Sequence, residues 1–323
     1  MRGAGIGAGL AGLAAAREVV AAGHEATVFE KSRGMGGRLA ARRAEGAVLD
    51  HGSPVVAAPP GSALRAVIDA LGADDRVDLA DGVAFASGAT RLPKLMATGL
   101  DVRLGVRIAA LRAASGGFEV GDEQGNTHGV ADAVVVSAPA PQAADLLERS
   151  PEAGDRVAAL RAVAYAPAVM ILLGLPAEGL SWDAAGTPAA VPRPPAVNGA
   201  GRRVLVVDDE EDVRAFARKV LEMAGFRVAL LDAEAAAELL DASDADALDR
   251  ALPALAALLG PAAAEPAWSQ VKRWRFAVPE GRGDAGALNP PGSRIVVAGD
   301  TLTGAGFGSS DHHRVFDSGV AAA

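Results

Sequence analysis

The sequence predicts an α/β protein in which a Rossmann-like, doubly wound nucleotide-binding domain is interleaved with a second, α+β domain. Three observations predict it. Gly7, Gly9 and Gly12 fit the spacing G-x-G-x-x-G; the first glycine permits a tight turn, the second lets backbone approach a pyrophosphate, and the third lets helix pack against strand. Glu30 closes the short run Ala26-Thr27-Val28-Phe29, close to the ~20 residues beyond the turn at which a carboxylate meets a ribose. Two branched runs, Asp132 to Ala138 and Arg294 to Ala298, read as buried parallel strands. The second ends at Gly299-Asp300 and can return to lie beside the first.

The elements follow in order. The strand before the glycine turn, Arg2-Gly3-Ala4-Gly5-Ile6, carries glycines where branched apolar residues are expected, so a frail first strand is predicted. The helix Leu10 to Ala22 aims its positive amino end at phosphate, and a turn at Gly23-His24 leads into the second strand. In Lys31-Ser32-Arg33-Gly34-Met35-Gly36-Gly37-Arg38, Gly36 and Gly37 remove bulk and Arg38 can fork onto phosphate oxygens; a solvated basic turn is the alternative. Val48-Leu49 ends a strand at Asp50-His51-Gly52, with a surface histidine as the other reading of His51. Helices are expected from Ser62 to Leu71, stopped by Gly72, and from Arg91 to Ala97. Leu100 to Leu104 is a strand feeding Gly105-Val106, and Phe118 to Asn126 a hairpin, with His128 exposed. Pro139 and Pro141 end the strand Asp132 to Ala138 sharply.

Val169 to Leu175 reads as a strand, Pro188 to Pro195 as a proline-rich loop and Leu248 to Leu259 as helical. Trp268 and Lys272-Arg273-Trp274-Arg275-Phe276-Ala277 alternate charge with large apolar residues, a strand with one buried face that is either a basic edge or a substrate-facing strand. A last helix is expected from about Arg314 to Ala322. His312-His313 has no companion cluster of acids or cysteines and is read as surface, with no metal.

Composition limits what this can do. The 323 residues suffice for two domains. With 50% hydrophobic and 4% aromatic residues, the core must be filled by Ala, Val and Leu. A net charge of -9 argues against nucleic acid or an acidic membrane surface as partner. The absence of cysteine excludes disulfides and thiolate zinc. No apolar run reaches the ~20 residues of a spanning helix, and Ile6 to Ala16, behind a single Arg, serves the phosphate turn rather than a signal peptide. A cytoplasmic protein is expected.

Taken together, the Gly7 to Gly12 turn with Glu30, the Arg33-Gly34-Met35-Gly36-Gly37-Arg38 loop, Asp50-His51-Gly52, Pro139-Ala140-Pro141-Gln142, Lys272 to Ala277, and Gly299-Asp300 with Ser318-Gly319 resemble the renalase-like branch of the flavin amine oxidase superfamily. The resemblance covers most of the chain except about 191–240. It implies FAD, a GR2-type flavoprotein fold, an FAD-binding domain of 1–60, 98–145 and 291–323, and a substrate domain of 61–97 and 146–290. Gly7, Gly9, Gly12, Glu30, Lys31, Gly36, Gly37 and Arg38 would hold the nucleotide. Val106 would hold the adenine through backbone amide and carbonyl, Asp300 the ribityl chain, and Gly299 and Gly319 would shape the flavin end. His51 would lie beside the flavin ring, and Trp274 and Arg275 could meet a donor. The implied reaction is hydride transfer from a dihydronicotinamide nucleotide, particularly abnormal NAD(P)H isomers, to flavin, with O2 as acceptor. Cofactor chemistry of this kind needs no obligatory acid or base. An amine donor is the runner-up.

One stretch departs from that pattern. Arg202 to Arg214 resembles the first strand and helix of a response-regulator receiver, with Asp208 and Asp209 as its magnesium-binding pair, and Gly225 to Ala229 resembles its second strand. No phosphoacceptor strand follows, so a βαβ replacement at 202–240 is expected rather than a phosphorelay. A signalling protein built on this stretch and a flavin-free binding protein are the alternatives from other classes.

Overall fold

The computed structural model describes residues 1–44, 47–79, 82–174, 203–207, 227–231, 233–259, 264–303 and 312–323. Asp208, Asp209, the expected receiver-like helix and the Pro188 to Pro195 loop lie outside these.

Five parallel strands form the central sheet, in the order Ile295–Val297, Ala133–Val136, Arg2–Ile6, Glu25–Glu30 and Asp101–Leu104. The glycine-bearing first strand occupies the middle and is paired along Gly3 to Ile6 on one side and Arg2 to Ile6 on the other. Its glycines are not forced by crowding: a Cβ on Gly3 would lie 3.5 Å from Val19 Cγ1, and one on Gly5 3.4 Å from Val28 Cγ2. Each costs roughly 0.5–1 kcal/mol of backbone entropy against alanine, which the two ladders offset.

Apolar cores cover both faces of this sheet. On one, Leu10 and Leu13 of the helix Leu10–Ala21 meet Val28, Leu64, Leu92, Met96 and Phe316. Helix Ala63–Leu71 begins where Ser62 accepts the Arg65 amide and ends in left-handed Gly72, φ 61°, as its spacing predicts. On the other face, Ile6, Val134, Val136, Ile295 and Val297 pack with helices Ala140–Leu147 and Arg156–Arg161 and with Leu111 and Phe118 of an antiparallel three-stranded sheet. His128 belongs to that sheet. It is not the exposed residue expected from sequence: Nε2 lies 2.9 Å from Asp122 Oδ2 and its ring 5.3 Å from that of Phe29.

The chain forms two compact units, Met1–Tyr165 with Val278–Ala323, and Ala166–Ala277. Residues 61–97 therefore fall within the first. The second is built on a sheet ordered Arg227–Leu231, Arg203–Val207, Ala164–Gly174, Trp268–Glu280. Arg203–Val207 pairs with Arg227–Leu231 in parallel and with the Ala164–Gly174 strand in antiparallel. Helices Ala233–Leu240 and Asp244–Leu259 place Leu239, Ala247, Ala251 and Leu255 on Val169, Ile171 and Leu173. Among the described residues no helix is long and apolar enough to cross a membrane.

Candidate functional site

The carboxyl end of the first strand is where the sequence motifs meet. Gly7 turns the chain at φ 108°, and a Cβ there would sit 2.7 Å from Ser137 Oγ. One on Gly12 would lie 2.0 Å from the Gly7 carbonyl oxygen. Both glycines are therefore demanded by the fold itself. Gly9 is different, because a Cβ would meet nothing within 4 Å. Space stands open above it, at the mouth of a helix whose first turn carries no acid. The Leu13 amide is the first to turn inward, donating to Gly9 O at 3.0 Å, so the preceding amides aim outward from the helix start. This arrangement suits a phosphate.

Glu30 is buried, its Oε2 accepting the Ala8 amide at 3.0 Å and its Oε1 the Ser32 amide at 2.8 Å. It locks the glycine turn to the following loop, and a carboxylate keeps lone pairs beyond two such bonds. Val106 requires a correction to the adenine reading. Its amide donates to Glu30 O at 2.9 Å, which leaves only its carbonyl for a base. Lys31 Nζ turns to Gln142 Oε1 at 2.6 Å.

The paired-glycine loop folds back onto this turn. Gly36 donates its amide to Ala8 O at 2.8 Å, and a Cβ on Gly37 would be 3.4 Å from Gly9 Cα. The loop is pinned behind by Ser53, whose amide reaches Arg38 O at 2.8 Å, and by the His51 and Gly52 amides, which share Ala40 O. Gly52 must be glycine, since its Cβ would come 2.1 Å from Arg38 O. His51 is thus buried rather than a surface turn residue. Burial raises the neighbouring Asp50 carboxyl to about 7, against the Ala89 amide that donates to it and lowers it.

Arg38 corrects a second expectation. Its Nη1 lies 2.9 Å from Asp300 Oδ2, so it is held by a carboxylate of the chain. Burial works against the guanidinium charge, and Asp300 more than restores it, so its pKa is raised. Tyr165 donates its hydroxyl to the same Oδ2 at 2.6 Å while accepting the Ala140 amide at 3.2 Å. Asp300 is wholly buried, and its Oδ1 has no hydrogen-bond partner among the described residues. The Gly299 amide donates to Ser318 Oγ at 2.9 Å. Gly319 lets the helix His312–Ala322 settle on the first helix, where a Cβ would lie 2.2 Å from Ala11 O.

That helix begins at His312, which is buried and not the surface residue expected. Its Nδ1 accepts the Ala57 amide at 3.1 Å, which fixes the neutral ring with its proton on Nε2. Burial first, then the Arg38 charge and the neighbouring His313, hold the ring down at about 4.

Trp274 and Arg275 lie in the second unit. Arg275 reaches Asp241 at 2.7 Å, and Arg273 donates to the Leu239 and Ala242 carbonyls, so these arginines serve the end of helix Ala233–Leu240. Lys272 stands over the Trp274 ring, 5.2 Å from its centre. Among the described residues no group of three or more acids and histidines could hold a metal. Sequence reasoning missed Ser137, Tyr165 and the burial of His312; that Tyr165 is the chain's only tyrosine was the one available signal.

Residues 78–323 match the family described as flavin containing amine oxidoreductase, and residues 6–71 match an NAD(P)-binding Rossmann-like domain. A 4,4'-diapophytoene desaturase of Staphylococcus haemolyticus is 38% identical over 76 residues, 23% of this chain and 15% of that protein. Its Staphylococcus aureus counterpart is 44% identical over 54 residues, 17% and 11% of the respective chains. The matched stretch thus spans only a small part of these relatives' length. Two solved structures of putrescine oxidase share the fold: an engineered double mutant at TM-score 0.64, and the wild type bound to putrescine at 0.63, each 14% identical over 99% of this chain and 98% of the other.

Proposed function

The chain belongs to the flavin containing amine oxidoreductase family, whose cofactor is FAD, and from that premise we propose that it oxidises a dihydronicotinamide nucleotide, particularly an abnormal NAD(P)H isomer, with O2 as final acceptor, as renalase-like proteins do. One observation carries the cofactor assignment: the open space over Gly9 and the unpartnered, buried Asp300 Oδ1 belong to one construction around the first turn. The residues present fit FAD. Bound there, the flavin supplies a two-electron acceptor, and the protein supplies position and field. Outward amides of the first helix would hold the pyrophosphate, Glu30 the ribose, the Val106 carbonyl the adenine and Asp300 a ribityl hydroxyl. The amino end of helix His312–Ala322 would favour negative charge on the reduced ring.

We assign 1–60, 98–145 and 291–323 to FAD binding and 61–97 with 146–290 to the substrate. An amine donor is the second reading, favoured by the family's description. The parallel pairing of Arg203–Val207 with Arg227–Leu231 supports a βαβ piece within 202–240.

Anaerobic titration of the purified holoprotein with dihydronicotinamide isomers and with amines decides between donors. Bleaching of the visible flavin bands by the former and not the latter is expected. Bleaching by amines alone would replace the reading, and a colourless protein that takes up no FAD would end it.

A further inference from the structure

Asp300 Oδ2 receives two donors, the Arg38 guanidinium at 2.9 Å and the Tyr165 hydroxyl at 2.6 Å, while Oδ1, on a residue with no exposed surface, receives none among the described residues. A buried carboxylate oxygen left without a donor is costly, so this asymmetry is built for a ligand. Tyr165 creates it. Its oxygen accepts the Ala140 amide at 3.2 Å, while Thr301 Oγ1 lies further off at 3.5 Å, so the phenolic hydrogen is directed at Asp300. An arginine facing a carboxylate alone prefers the two-pronged pairing that takes both oxygens. The hydroxyl on Oδ2 holds the pair to one prong.

We propose that Tyr165 is a positioning residue for the cofactor: by occupying Asp300 Oδ2 beside Arg38, it reserves Oδ1 as the acceptor for a hydroxyl of the bound ligand's polyol chain. The proposal rests on the reading that FAD fills this turn. Gly299 places the acid there, because its Cβ position lies 3.6 Å from Ser137 O and 3.9 Å from Ala11 Cβ, against the glycine turn.

The test is an FAD titration of the apoprotein, followed by flavin fluorescence, for wild type, Tyr165→Phe, Asp300→Asn and the double variant. Each single change is expected to weaken FAD by about tenfold or more, and the double no further than Asp300→Asn alone, because Tyr165 acts through Asp300. A purely structural role would instead give additive losses, and that result overturns the proposal, as does a Tyr165→Phe protein that binds FAD like wild type. An FAD analogue lacking the ribityl hydroxyls gives a measurement on wild type alone: it should bind more weakly than FAD by a similar factor, and equal binding overturns the proposal while leaving the FAD reading intact. Wild type that binds no FAD removes both.

Discussion

At the scale of single residues, glycines that look alike in sequence do different things. Gly12→Ala brings a Cβ to 2.0 Å from Gly7 O and should lower the melting temperature of the apoprotein sharply. Gly9→Ala meets nothing within 4 Å, and should leave apoprotein melting unchanged while weakening FAD at least tenfold in titration. One buried and one half-buried titrating group give a second expectation. His312 is held neutral down to about 4 from an ordinary 6.5, so the unfolded chain takes a proton first and stability is lost as pH falls through that window. Asp50 is raised to about 7 from 3.8, so the native state holds its proton longer and stability is lost as pH rises. Between about 4 and 6.5 the two slopes oppose each other. Thermal melts should therefore be nearly flat there in wild type, fall with rising pH in His312→Gln, and fall with falling pH in Asp50→Asn. The same direction in both variants would refute these assignments. The glycine spacing and Glu30 were legible because they are local. Tyr165 with Asp300, and Ala57 with His312, were not, since each contact joins residues far apart in the chain and neither has a spacing rule.

At the scale of elements, the helix His312–Ala322 closes against the first helix at Gly319, where a Cβ would be 2.2 Å from Ala11 O. Gly319→Ala should destabilise by about 1–3 kcal/mol in denaturant unfolding. In the second unit, Arg273 and Arg275 are two residues apart and unequal. Arg273 caps carbonyls at Leu239 and Ala242, whereas Arg275 forms an exposed pair with Asp241. Arg273→Ala should cost about 1–3 kcal/mol and Arg275→Ala less than about 1 kcal/mol, by the same measurement. Branched runs announced the strands at 133–136 and 295–297 because few other environments suit them. The strand Ala164–Gly174 begins before its expected start because Ala164, Ala166 and Ala168 carry no periodic signal. The expected alternation on Trp268–Glu280 is absent from its burial: Arg273 is drawn onto the carbonyls of Leu239 and Ala242, while Arg275 stays exposed beside Asp241.

At the scale of the molecule, the first unit gathers its sheet from residues 2–6, 25–30, 101–104, 133–136 and 295–297. Deleting 312–323 should uncover Leu10 and Leu13, strip the Ala57 amide of its acceptor and abolish both cooperative unfolding and FAD binding, seen by circular dichroism and fluorescence. The family match covers the three later strands and the closing helix, and the order of motifs along the sequence made the returning strand readable. What the sequence could not convey is which side chains face one another once the sheet is assembled.

The edge strand Ile295–Val297 has a consequence for how the protein is born. Its partner strand Ala133–Val136 is synthesised well before it, so the nascent chain must keep Val134 and Val136 shielded for on the order of tens of seconds of synthesis. A chaperone that meets chains during synthesis would find its docking stretch there, and slowing translation should aggravate aggregation rather than relieve it.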